Sequence, residues 1–86
     1  MAPGLAAGVA PGRILWRCRR GMKELDVLLE RYARGGHPQA AAADQHRFEA
    51  LLELPDPLLA GYFLAGDTPA DPALARLVAR IRTYVA

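Results

Sequence analysis

A chain of 86 residues is long enough for one small domain and too short for two. The single cysteine, Cys18, excludes an internal disulfide and fits a reducing compartment. Hydrophobic residues make up 52% of the chain and net charge is only +2, yet no apolar run approaches the roughly 18 residues of a membrane span, so no membrane insertion is expected.

The opening "MAPGLAAGVAPG" lacks the basic start and continuous apolar centre of a signal peptide. It carries no arginine before residue 13, which argues against a transit peptide. Residues 1–11 read as a disordered tail, and residues 12–86 as a single helical domain.

"GRILWRCRR" predicts a short first helix of two turns. Arg13, Arg17 and Arg20 share one of its faces, and Leu15, Cys18 and Met22 can point inward. Gly21 permits the backbone angle of a helix end or sharp turn. A second helix is expected from Met22 to Arg34, with Leu25, Leu28, Leu29 and Tyr32 as its apolar stripe. Glu24 and Asp26 suit its first turn, and Arg31 and Arg34 its last.

The third helix starts between Gln39 and Asp44. It turns Phe48, Leu51 and Leu52 inward, with Ala41 and Gln45 one turn back, and Pro55 stops it. Asp56-Pro57 predicts an N-cap followed by a first-turn proline. The fourth helix then runs to Leu64 and buries Leu58, Leu59, Tyr62 and Phe63. Asp71-Pro72 repeats that start signal. The last helix carries Leu74, Leu77, Val78, Ile81 and Val85 inward, with Arg76 and Arg80 on the outer face. No strand pattern competes. The fold class is all-α, a compact five-helix bundle with a short first helix.

Charge is polarised along the chain. Residues 13–20 carry four arginines and no acid, whereas residues 44–56 carry four acids against Arg47. His37, His46 and Cys18 do not have metal-site spacing and read as two exposed histidines and a buried thiol. Cys18 has no histidine base that the sequence can assign to it. No phosphate-cradling loop or dinucleotide fingerprint occurs. An enzyme reading therefore finds no active site. Four arginines around Trp16 are compatible with a nucleic-acid patch or with a solvated helix face, and the low net charge and the acidic segment 44–56 oppose the former. A protein-binding corner is the third reading. There Gly21 leaves the backbone bare, while Arg20 and Glu24 flank it with opposite charges. The plainer alternative makes Gly21 a turn and Glu24 a helix-dipole partner.

"RILWRCRRGMKELDVLLERY" resembles the signature of the succinate dehydrogenase flavinylation factors, small assembly factors of bacteria and mitochondria. Arg20, Gly21 and Glu24 meet their R-G-x-x-E motif. "LLELPDPLLAGYFL" and "PADPALARLVARIR" resemble their D-P segment and closing helix, so residues 13–82 are covered. The chain departs from the pattern in its acid-poor middle, in Tyr62 where many members carry tryptophan, and in its longer tail. The resemblance implies a factor without an active site that promotes covalent attachment of FAD to a histidine of the flavoprotein subunit of succinate dehydrogenase, and often of fumarate reductase. It implies no tight FAD site in this chain. An antitoxin role toward a toxin partner, a label borne by some relatives, is the alternative. The location implied is the cytoplasm for a bacterial source and the mitochondrial matrix for a eukaryotic one. The implied contact residues are Arg17, Arg20, Gly21 and Glu24. Met22, Leu25 and the Asp56-Pro57 corner come second, and Asp26 is either a contact or a support for the helix start.

Overall fold

The computed structural model describes residues 12–84, which form five α-helices and one 3-10 turn. The tail expected over residues 1–11 and the inward Val85 lie outside the described residues. Helix α1 spans Gly12–Arg17, α2 Lys23–Gly35, α3 Ala42–Leu51, α4 Asp56–Phe63 and α5 Pro72–Thr83. The all-α bundle with a short first helix is what the periodicity predicts.

Helix α2 is the axis of the fold and packs against α1, α4 and α5, while α5 packs against α3 and α4 as well. Leu25, Leu29, Tyr32 and Ala33 recur on one face of α2 and are all buried. They meet Phe48 and Leu51 of α3, Leu59 and Phe63 of α4, and Leu77, Val78 and Ile81 of α5 in one core. Each such large side chain contributes about 1.5–3 kcal/mol by leaving water. The Tyr32 ring sits edge-on to Phe48 at a centroid distance of 5.1 Å and to Tyr84 at 5.8 Å, the arrangement that ring quadrupoles favour. The Tyr32 and Tyr84 side chains can lie this close to the backbone because residues 35 and 36 are glycines. A Cβ at Gly36 would collide with the Tyr32 ring, and one at Gly35 with the Tyr84 hydroxyl.

Four expectations fail in detail. His37 is buried, not exposed: it starts the 3-10 turn His37–Gln39, and its ring lies 5.3 Å from Phe48. Ala41 is exposed because it is the N-cap of α3 and stands outside the helix. Leu58 is exposed because α4 is only eight residues long and turns Leu59 and Phe63, four apart, to the core. Asp56-Pro57 does not cap α4 as expected. Pro55 is the N-cap residue, no side chain caps the helix, and Asp56 already lies inside it. Asp71 does cap α5, accepting a hydrogen bond from the Ala73 amide at 3.2 Å.

Candidate functional site

The five residues between α1 and α2 turn the chain sharply at Gly21, whose φ is +90°. An L-residue resists that angle. A Cβ at Gly21 would meet nothing within 4 Å, so the backbone there is open on its outer side. The glycine is required by its own conformation and not by a crowded neighbour.

Arg20 precedes it and faces inward. Its side chain is 15% exposed. Nε donates to Asp56 Oδ1 at 2.8 Å, Nη1 to the Arg17 carbonyl at 2.7 Å, and Nη2 to the Leu54 carbonyl at 2.8 Å. One guanidinium thus joins the end of α1, the α3–α4 link and the first turn of α4. Asp26 closes the turn from the other side. Its Oδ1 accepts from the Arg20 amide at 2.8 Å and its Oδ2 from the Gly21 amide at 3.3 Å. The carboxylate satisfies two amides that lie outside any helix, which water would otherwise have to do.

The other candidates divide between core and surface. Leu25 is fully buried and cannot face a partner, because it belongs to the inward stripe of α2. Met22 is half-buried against the core. Arg17 pairs with Glu53 at 2.5 Å and Arg19 with Glu30 at 3.4 Å. Pro57 is exposed at the start of α4. Glu24 is exposed in the first turn of α2, one turn beyond Gly21.

Glu24 also rims an apolar groove. An open groove of about 670 Å³ runs between α2 and α4, lined by Lys23, Glu24, Val27, Leu28, Phe63 and Leu64. Val27 is 45% and Leu64 44% exposed, high for large apolar side chains. A shallower hollow of about 320 Å³ beside Gly21 shares Lys23 and Val27 with it. Bare backbone, a carboxylate and an apolar floor are therefore contiguous. Sequence reasoning missed the floor. Val27 lies off the core stripe of α2 and Leu64 just past the end of α4, and only the crossing of the two helices brings them together.

Chemistry within the chain is limited. Cys18 is buried beneath the corner, and burial first, then the Glu30 carboxylate, pushes its thiol up to about 12. Such a thiol is not a nucleophile near neutral pH. Among the described residues no three metal-ligating side chains come together, and no helix is long and apolar enough to cross a membrane. Trp16 is 71% exposed on α1. The arginines around it do not form a bare basic face, since Arg17, Arg19 and Arg20 each pair with an acid of this chain.

Residues 12–85 match a family model described as flavinator of succinate dehydrogenase. The chain is similar to the FAD assembly factor SdhE of Methylococcus capsulatus, 45% identical over 74 residues, which cover 86% of this chain and 89% of the relative. It is also similar to proteins of that name from Pseudomonas aeruginosa and Shewanella oneidensis. The first is 44% identical over 69 residues, covering 80% of this chain and 82% of the relative. The second is 40% identical over 70 residues, covering 81% and 85%. No solved structure matches the chain.

Proposed function

The chain belongs to the family of flavinators of succinate dehydrogenase, and on that footing we propose that it binds the flavoprotein subunit of succinate dehydrogenase and promotes covalent attachment of FAD to it. The observation that carries the reading is the surface beside Gly21. Open backbone at a left-handed glycine, the exposed Glu24 carboxylate and the Val27–Leu64 floor form one face. Such a face suits a protein partner: apolar area supplies affinity and the charge fixes register.

The factor acts without an active site of its own. It holds the immature subunit so that the partner's histidine and the flavin meet in reactive geometry, and positioning alone can supply large rate effects. In this reading FAD stays with the flavoprotein, consistent with a sequence that carries no phosphate-binding glycine motif. Gly21 lets the partner approach the backbone, Glu24 accepts charge-assisted hydrogen bonds from it, and Met22 and Pro57 border the contact. The fumarate reductase flavoprotein, similar in chemistry, is a second client. The reaction belongs to the cytoplasm of a bacterium, matching the bacterial sources of the relatives.

The test is covalent flavin fluorescence of the denatured flavoprotein subunit, from cells with and without this chain. Deletion is expected to remove the fluorescence. Wild type should restore it and Glu24→Ala should not. Full fluorescence without the chain would overturn the function, and full rescue by Glu24→Ala would overturn the assigned contact.

A further inference from the structure

We propose that Arg20, Asp26 and Asp56 are positioning residues, which set the shape of the docking face from inside the chain and do not themselves touch the partner. The inference rests on the proposed function for its partner. It divides the R-G-x-x-E motif into a bracket, Arg20, and a presented surface, Gly21 and Glu24.

Three observations carry it. First, the Arg20 guanidinium is already committed. Each of its three nitrogens donates to a different acceptor of this chain at 2.7–2.8 Å, and the group is largely buried. A partner carboxylate would have to displace those bonds to be captured. Second, the three acceptors diverge. They lie on the last residue of α1, the α3–α4 link and the first turn of α4. A planar fork with fixed donors spans them, and a lysine ammonium on one stem cannot. Third, Asp56 is withheld from the role its sequence suggests. Asp71, in the same Asp-Pro setting, caps its helix, whereas Asp56 caps nothing and turns to Arg20.

The bracket has a geometric result. Gly21 and Glu24 belong to the α1–α2 corner, but the far wall of the groove, Phe63 and Leu64, belongs to the end of α4. Arg20 ties the start of α4 to that corner, and Asp26 holds the amides of residues 20 and 21. The two halves of the face are thereby fixed before a partner arrives. Affinity then comes partly from ordering already done in the free protein.

The experiment titrates the full chain and its variants against the purified apo flavoprotein subunit, and follows amide exchange of the free chain in parallel. Arg20→Lys keeps the charge and loses the fork; it is expected to weaken binding about tenfold, the lower end of what one charge-assisted hydrogen bond contributes. Asp56→Asn keeps an acceptor oxygen and is expected to bind within about twofold of wild type, whereas Asp56→Ala should weaken binding. Adding Asp56→Ala to Arg20→Ala should cost nothing further, because the pair works as one unit. In the free chain, Arg20→Lys should speed exchange at the amides of residues 20 and 21 and leave the Leu29 amide unchanged. Wild-type affinity in Arg20→Lys would overturn the bracket, and losses that multiply in the double variant would overturn it in favour of direct contacts. Where an alanine variant does not fold, Arg20→Lys and Asp56→Asn decide. Where wild type itself does not bind the flavoprotein, the proposed partner is wrong. The exchange data then decide the bracket alone: unchanged exchange at residues 20 and 21, or equal acceleration at Leu29, would reject it.

Discussion

Replacing Gly21 with alanine tests the docking face with a change the fold itself should tolerate. The backbone at Gly21 has φ +90°, and a Cβ there would meet no atom within 4 Å. Internal collision therefore contributes nothing, and the cost is that of holding a non-glycine residue in the left-handed region, about 1–2 kcal/mol. For a domain of this size that lowers the melting temperature by roughly 4–16 °C. Set against a typical stability of about 5–15 kcal/mol, it leaves well over nine-tenths of the molecules folded. Loss of folded protein cannot then explain a large loss of function. Gly66 supplies the matched control, with φ +83° and equally open surroundings on another loop. Both alanine variants should melt lower by similar amounts. Only Gly21→Ala should lose most of the rate of covalent flavin formation, measured in a reconstituted assay with apo flavoprotein and FAD at a temperature well below both melting points. Equal flavinylation by the two variants would refute the reasoning, because the effect of Gly21 would then be backbone strain alone.

The two glycines at the end of α2 should respond in a fixed order. Gly36→Ala drives a methyl into the buried Tyr32 ring and should cost about 1–3 kcal/mol by overpacking. Gly35→Ala meets the far end of the Tyr84 side chain and should cost less in the same denaturant melts. His37 makes stability depend on pH. Burial holds its pKa below the ordinary 6.5, with the Glu49 carboxylate at 3.7 Å opposing. The unfolded chain therefore takes up a proton first as pH falls through 6.5, so stability is full above that pH and declines below it, by at most about 1.4 kcal/mol per pH unit until the folded ring also protonates. Melts between pH 7.5 and 5.5, with an NMR titration of the His37 ring, check this, and a ring titrating above 6.5 would reverse the sign. Cys18, with its thiol raised from 9.0 to about 12, should carry about a thousandfold less thiolate than an ordinary cysteine at pH 8. Iodoacetamide should label it slowly in the folded chain and quickly in denaturant. Rapid native labelling would contradict its burial.

The sequence displays the helices well because the core is amphipathic in the simplest way. The α2 and α5 stripes repeat at three and four residues, and the buried side chains of both helices fall on them except Ala33, while Leu28 of the expected α2 stripe is only half-buried and lines the groove. Helix α4 is less legible because eight residues with apolar side chains nearly all round do not reveal which face is covered. Leu58 and Leu59 are indistinguishable by type, and only packing buries the second. Asp56 and Asp71 make the point more sharply. Their local sequences are alike, and what separates them is Arg20, 36 residues away from Asp56. No local pattern carries that information. His37 was hidden for a related reason. Its burial follows from a 3-10 turn that folds back on Phe48, and the glycines, proline and alanines around it carry no periodic pattern that would place it inside. The motif residues could be read as a group, yet their division between those that face inward and those that face outward depends on side-chain direction at a turn.

The pairing of Arg17, Arg19 and Arg20 with Glu53, Glu30 and Asp56 has an ionic consequence. A polyanion gains its grip on arginines by letting small ions escape from its phosphates, and the gain appears as a steep fall of affinity with salt. Here the carboxylates of the chain already occupy three of the four side chains in that run. A phosphate chain would have to evict them first, and each eviction would return an uncompensated acid to the surface beside it. The segment that looks most cationic in the sequence is, in the folded chain, close to electrically spent.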